Sequence, residues 1–241
     1  MRSFIAVCFA LALLSVTPAR AGLFDDLLGG LSGKSPSAPV DLSLEKIISG
    51  LKEALEVGTG NAVNLLSNPG GYFKDEAVKI LLPEKIRNMT DMLRQVGFNK
   101  PVDEFVLSMN SAAEKAADKA GPIFVDAIKQ MTFEDAKKIL DGGDTAATDY
   151  LKEKTSGKIS DAFRPIIKSS MTEVGVTSAY QTLVDKFNAI PFMQAGSFDL
   201  EPYVTQKAMD GIFLKVGEEE KKIRANPQAR VTDLLQEVFK K

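Results

Sequence analysis

The sequence has no histidine, no tryptophan, one cysteine and four tyrosines among its 241 residues. Without imidazole there is no Ser-His-Asp triad, no Cys-His dyad and no haem held through histidine. One thiol makes neither a disulfide nor an iron–sulfur cluster within the chain. A zinc site would need carboxylates alone, whereas zinc favours nitrogen and sulfur ligands. An excess of positive charge is missing too. Thirty Lys and Arg face 32 Asp and Glu, with a formal net charge of −2 and a pI near 5.4, so nothing points to a nucleic-acid partner. What is present is ordinary for a globular chain: 44% hydrophobic and 26% charged residues.

The first residues carry a sorting pattern. Met1-Arg2 supplies a positive charge, and Phe4 to Val16 is an uncharged apolar run. Pro18 breaks it, and Ala19-Arg20-Ala21 fits a small-x-small cleavage site. The run is too short for a bilayer, which takes about 20 residues, so residues 1–21 are predicted to be a cleaved signal peptide and the protein to be periplasmic. Cys8 lies too early in the run for a lipidated cysteine. Its removal would leave neither Cys nor His, and no later segment is apolar enough to span a membrane. Residues 22–40 form a leader and linker. Leu23, Phe24, Leu27, Leu28 and Leu31 fall at helical spacing opposite Asp25 and Asp26, and Ser32 to Pro39 is small, polar and proline-containing. Gly29 to Ser35 nearly matches a phosphate-binding loop, but Leu28 stands where the first glycine belongs and no strand precedes it.

From residue 41 to 241 apolar residues recur at three and four, which predicts one compact all-α domain of about nine or ten helices. Asn68-Pro69-Gly70-Gly71 stops the first, weakened near Gly58 and Gly60 where a kink is expected. Pro83 opens the second and Gly97 closes it. Later starts are signalled by Pro101, by Gly121-Pro122 before Ile123, by the capping box Thr132 to Asp135, by Asp144 and by Ser160 with Pro165. Val176 to Phe187 and Leu200 to Val216 define two more. Asn226-Pro227 precedes a terminal helix over Val231 to Val238. No alternating strand is evident.

Several segments together resemble the bacterial domain-of-unknown-function family 4197. They include Leu51 to Leu55 with Val57 to Thr59, Val102 to Glu104 with Ser108 to Asn110, Phe124 to Ile128, and Gly142 to Thr148. Phe163 to Ile166, Tyr203 to Ala208 with Asp210-Gly211, and Glu218 to Glu220 with Ile223-Arg224 and Asn226-Pro227 complete the set. The resemblance runs from about Leu42 to the C-terminus and departs at Gly60, where the family carries a charged helix former. It implies an exported, mostly helical protein and supplies no catalytic residue.

Asn110, Asp144, Arg164, Lys207, Asp210, Glu220 and Arg224 are the candidate polar residues. They read either as an internal network fixing helix register or as the lining of a pocket. Gly142 to Thr145 before a helix could hold an anion, but Asp144 as the cap would compete for the same N–H groups. Asp141, Asp144 and Asp149 lack the spacing of a calcium loop. Glu218 to Lys222 reads as a solvated face with a Glu218–Lys222 pair. No metal or other cofactor is expected. The reading favoured is a non-enzymatic envelope module that binds a protein partner or a lipid-like, apolar ligand; the alternative is a hydrolase working through carboxylates or lysine.

Overall fold

A computed structural model of the chain describes residues 44–173 and 175–225. The chain divides into two units, Met1–Asp41 and Leu42–Lys241. The expected signal peptide, leader and linker, and the terminal helix over 231–238, lie outside the described residues. Among the described residues there are eight helices and no strand. They are α1 (Leu44–Ser67), α2 (Glu84–Gln95), α3 (Asn99–Ala117), α4 (Ala120–Lys129), α5 (Phe133–Asp141), α6 (Ala146–Glu173), α7 (Val176–Asn188) and α8 (Leu200–Ala225).

Local chemistry explains most of the boundaries. Thr132 and Asp135 form the expected reciprocal capping box on α5, where hydrogen bonds from Thr132 hold the Asp135 carboxyl below its ordinary pKa. Gly97 at φ +94° closes α2, and Gly175 at φ +79° separates α6 from α7. Pro101 and Pro122 both fall in first turns, where a missing N–H costs nothing. Gly121-Pro122 therefore lies within α4 instead of preceding it. α1 runs unbroken through Gly58 and Gly60. Gly58 faces α8, where a Cβ would make ordinary contact with Glu219 Cβ at 3.4 Å.

Among the described residues the count is eight, against an expected nine or ten, because two expected helices are one and the expected terminal helix lies outside those residues. α6 passes through Ser160 and Pro165 without stopping. Seven of its nine buried residues step by four: Ala147, Leu151, Thr155, Ile159, Phe163, Ile167 and Met171. Four residues overshoot one turn by about 40°, so this stripe winds around the helix. A winding stripe suits a helix packed against five neighbours, α3, α4, α5, α7 and α8. Pro165 is exposed, away from the stripe. An interior proline costs about 3 kcal/mol, which the buried Phe163 and Ile167 beside it offset at about 1.5–3 kcal/mol each.

α3, α6 and α8 pack on one another at the centre. Ala112, Ala113, Ala116 and Ala117 of α3 are fully buried and let neighbours approach closely. Phe124 meets Phe213 edge-on at 5.9 Å, and Phe105 stacks on Tyr180 at 5.7 Å. No described helix is long and apolar enough to cross a membrane.

Candidate functional site

Between α1 and α2 the chain runs through residues 68–83 with turns only. So long a stretch without regular structure is uncommon in a compact domain and is often functional. It opens with Gly71 N–H bonded to the Asn68 carbonyl at 2.8 Å and with Gly70 at φ +86°. A Cβ on Gly71 would lie 2.4 Å from the Leu65 carbonyl oxygen, so the turn requires glycine there.

This strap is fastened by buried polar side chains from α3 and α8. Asn110 is fully buried. Its Oδ1 accepts the Ile80 N–H at 2.8 Å, and its Nδ2 donates to the carbonyls of Ile80 (2.9 Å) and Val106 (2.8 Å). Glu114 Oε1 accepts the N–H groups of Tyr72 and Phe73, both at 3.2 Å. The Tyr72 hydroxyl donates to the Ala208 carbonyl at 2.7 Å. Burial, then the Glu114 charge, pushes that phenol well above its ordinary pKa, so it stays a donor. A Cβ on Gly211 would meet the Tyr72 ring at 2.6 Å, which explains a glycine in mid-helix.

Lys215 of α8 bridges Asp75 on the strap (2.6 Å) and Glu218 (2.9 Å). Burial alone would lower the lysine pKa, but hydrogen bonds to both carboxylates outweigh it and the net shift is upward. The hydrogen bond from Lys215 in turn holds the Asp75 carboxyl below its ordinary range.

Fixed in this way, residues 77–82 form one wall of a groove of about 420 Å³; the first turn of α2 and the outer face of α8 complete it. Leu81 (57% exposed) and Leu214 (44%) both line it. Tyr203 spans it, its hydroxyl donating to the Leu81 carbonyl at 2.8 Å. Arg87, Lys207 and Lys79 bring positive charge, and Glu84 and Asp210 negative. Lys79 sits over the Phe73 ring and pairs with Glu76, and Lys207 approaches Asp210 at 3.8 Å. Arg87 makes no hydrogen bond or ion pair among the described residues; its charge is felt by Tyr203, where it opposes the rise in phenol pKa caused by burial.

The seven candidate polar residues therefore separate. Asn110 anchors the strap, and Lys207 with Asp210 lines the groove. Glu220 and Arg224 form a second centre at the α5–α6 corner. There Glu220 accepts the N–H groups of Ala147 (3.0 Å) and Thr148 (2.8 Å), the Thr148 hydroxyl (2.7 Å) and Arg224 Nε (2.9 Å). Arg224 also donates to the Ile139 carbonyl at 2.9 Å. Glu220 thus replaces the expected Asp144 as the acceptor at the start of α6, and a carboxylate already fills the place an anion would take. The cavity against Glu220 is about 20 Å³, room for one water. Asp144 and Arg164 are exposed and belong to neither centre. Asp141, Asp144 and Asp149 are exposed as well, and no group of three metal-ligating side chains occurs among the described residues. Glu218 pairs with Lys215, leaving Lys222 to Glu219 instead of the expected Glu218.

The family model for "Protein of unknown function (DUF4197)" matches residues 41–240. The chain belongs to the DUF4197 family. No curated protein and no solved structure matches it. The resemblance read from the ordered motifs thus holds along the whole described part of this DUF4197 chain. Glu114, Tyr72, Lys215 and Arg87 were not singled out from its sequence. A signal for Glu114 was present: it sits among Ala112, Ala113, Ala116 and Ala117, a run suited to close helix packing and not to a solvated face.

Proposed function

We propose that this chain is a non-enzymatic binding module of the cell envelope, exported by its N-terminal signal, whose groove takes an apolar ligand with an anionic end. The observation that carries this reading is the pairing of two half-exposed leucines, Leu81 and Leu214, with Arg87, which has no ion-pair partner among the described residues, in one concavity. Its volume of about 420 Å³ suits a small amphiphile. The walls are held by buried hydrogen bonds, so little ordering is needed on binding.

The disposition of the ionisable groups favours this reading over a hydrolase. Glu114 and Glu220 are each taken up by backbone N–H groups, and Lys215 is kept protonated between two carboxylates. A nucleophilic lysine needs its pKa lowered, the opposite of what Lys215 shows.

Two measurements test the proposal. Native mass spectrometry of the protein taken from the periplasm is expected to show a retained amphiphile. Titration with laurate is expected to show saturable binding that weakens about tenfold or more in Leu214→Glu, because the added charge repels the head group and removes apolar contact. Equal laurate affinity in wild type and variant would refute the groove as the site.

A further inference from the structure

We infer that the Ile190–Met193 turn is a lipid-contacting tip that sets the Phe192 ring into the interface of a membrane. Between α7 and α8 the Met193 N–H bonds to the Ile190 carbonyl at 3.1 Å, Pro191 sits second, and Phe192 sits third at φ +67°. This is the pattern of a type II turn, whose third position calls for glycine or asparagine. Phe192 is the sole non-glycine residue with positive φ among the described residues, and its side chain is fully exposed. The sequence therefore accepts backbone strain and wets an aromatic ring at one point, and no contact among the described residues compensates for either.

The turn is anchored at its base. Ile190 and Met193 pack on the core, Asn188 Oδ1 accepts the Ala195 N–H at 2.7 Å, and Tyr180 donates to the Gly196 carbonyl at 3.4 Å.

The charge pattern selects the occupant. Residues 187–198 contain no charged side chain, and Lys186 and Asp199 bracket them. A pocket in a partner protein asks only that the inserted ring be apolar. The uncharged layer of a bilayer asks that the whole surrounding collar be free of charge. Lys186, at the base, is folded over the Phe98 ring at 4.2 Å. That contact brings the α2–α3 connection, with Val96 58% exposed, to the same end of α7. One ring gives weak binding, so the tip adds to whatever else brings the chain to a membrane.

The absence of tryptophan from the sequence makes the test direct. Phe192→Trp in the full chain introduces a single indole at a position that needs no repacking. With phosphatidylcholine vesicles at millimolar lipid, its emission is expected to shift to the blue and to be quenched by brominated acyl chains. Leu65→Trp, also exposed but on α1, is expected to show neither change. Phe192→Gly is expected to raise the melting temperature by relieving the turn while weakening vesicle binding about tenfold. An unshifted emission at millimolar lipid would overturn the inference. So would an equal shift in Leu65→Trp, or a shift that needs no lipid and grows with protein concentration, which would place a second copy on the tip.

Discussion

The strap at residues 68–83 and the corner between α5 and α6 pose the same problem and solve it differently. In both, backbone N–H groups are buried where no helix satisfies them, and in both a glutamate from a distant helix accepts them. Glu220 is paired with Arg224 and uses both carboxylate oxygens for four donors. Glu114 has no cation within ion-pair distance among the described residues, and one oxygen takes both N–H groups. The contrast shows that a buried carboxylate can be held by peptide dipoles with or without a counter-charge. It also shows where each region is vulnerable. The corner gathers four donors on one carboxylate. The strap is distributed over Asn110, Glu114, Tyr72, Tyr203 and Lys215, so losing one fastening leaves the others.

Breaking the corner is expected to have the largest effect. Glu220→Ala removes the acceptor of two buried N–H groups and of the Thr148 hydroxyl at the first turn of α6, and at about 1–3 kcal/mol per unsatisfied group is expected to cost about 3–5 kcal/mol in denaturant unfolding. A loss under about 1 kcal/mol would mean that water replaces the carboxylate and that the corner is not a structural centre.

The two glutamine variants sharpen the comparison. Gln at 114 keeps one acceptor oxygen, which is all the strap uses, and Glu114→Gln is expected to cost under about 1 kcal/mol. Gln at 220 points an NH2 at a donor, and Glu220→Gln is expected to cost about 2–3 kcal/mol. Equal costs would contradict the assignment of donors to oxygens.

Glycines give the next pair. Gly211→Ala drives a Cβ into the Tyr72 ring and is expected to cost about 1–3 kcal/mol. Gly60→Ala, where a Cβ meets nothing within 4 Å, is expected to add about 0.5–1 kcal/mol of stability.

The smallest effect is electrostatic. The Asp75 pKa is lowered, so its contribution is complete above the ordinary aspartate value of about 3.9 and is lost as pH falls through the lowered value. The Lys215 pKa is raised, so its contribution is complete below about 10.4 and is lost as pH rises through the raised value. Asp75→Asn is therefore expected to cost under about 1 kcal/mol at neutral pH, and the gap to wild type is expected to close in acid.

The helical class and most element boundaries were legible because they rest on local rules: a capping box at Thr132, glycine stops at Gly97 and Gly175, apolar spacing along α2, α7 and α8. α6 reads as two helices from sequence because Ser160 looks like a cap and Pro165 fits a first turn, and neither residue shows that one buried stripe continues past them. Asn110 and Glu220 could be suspected from polar residues set on apolar faces. Glu114 and Lys215 could not be paired with their partners, because Tyr72 and Asp75 lie in a segment whose path no periodicity specifies. Arg164 and Asp144 illustrate the opposite error: both are exposed, and a charged residue's place in the sequence carries no sign of whether it is buried.

Everything proposed for the groove depends on the strap being a fixed wall. Amide hydrogen exchange at Tyr72, Phe73 and Ile80 tests that most directly, since none of these residues is helical and all three N–H groups are bonded only to side chains of α3. Protection close to that of the central helices is the predicted result. Exchange at the rate of an open coil would show that the strap is loose and that the groove beneath it is not a preformed site.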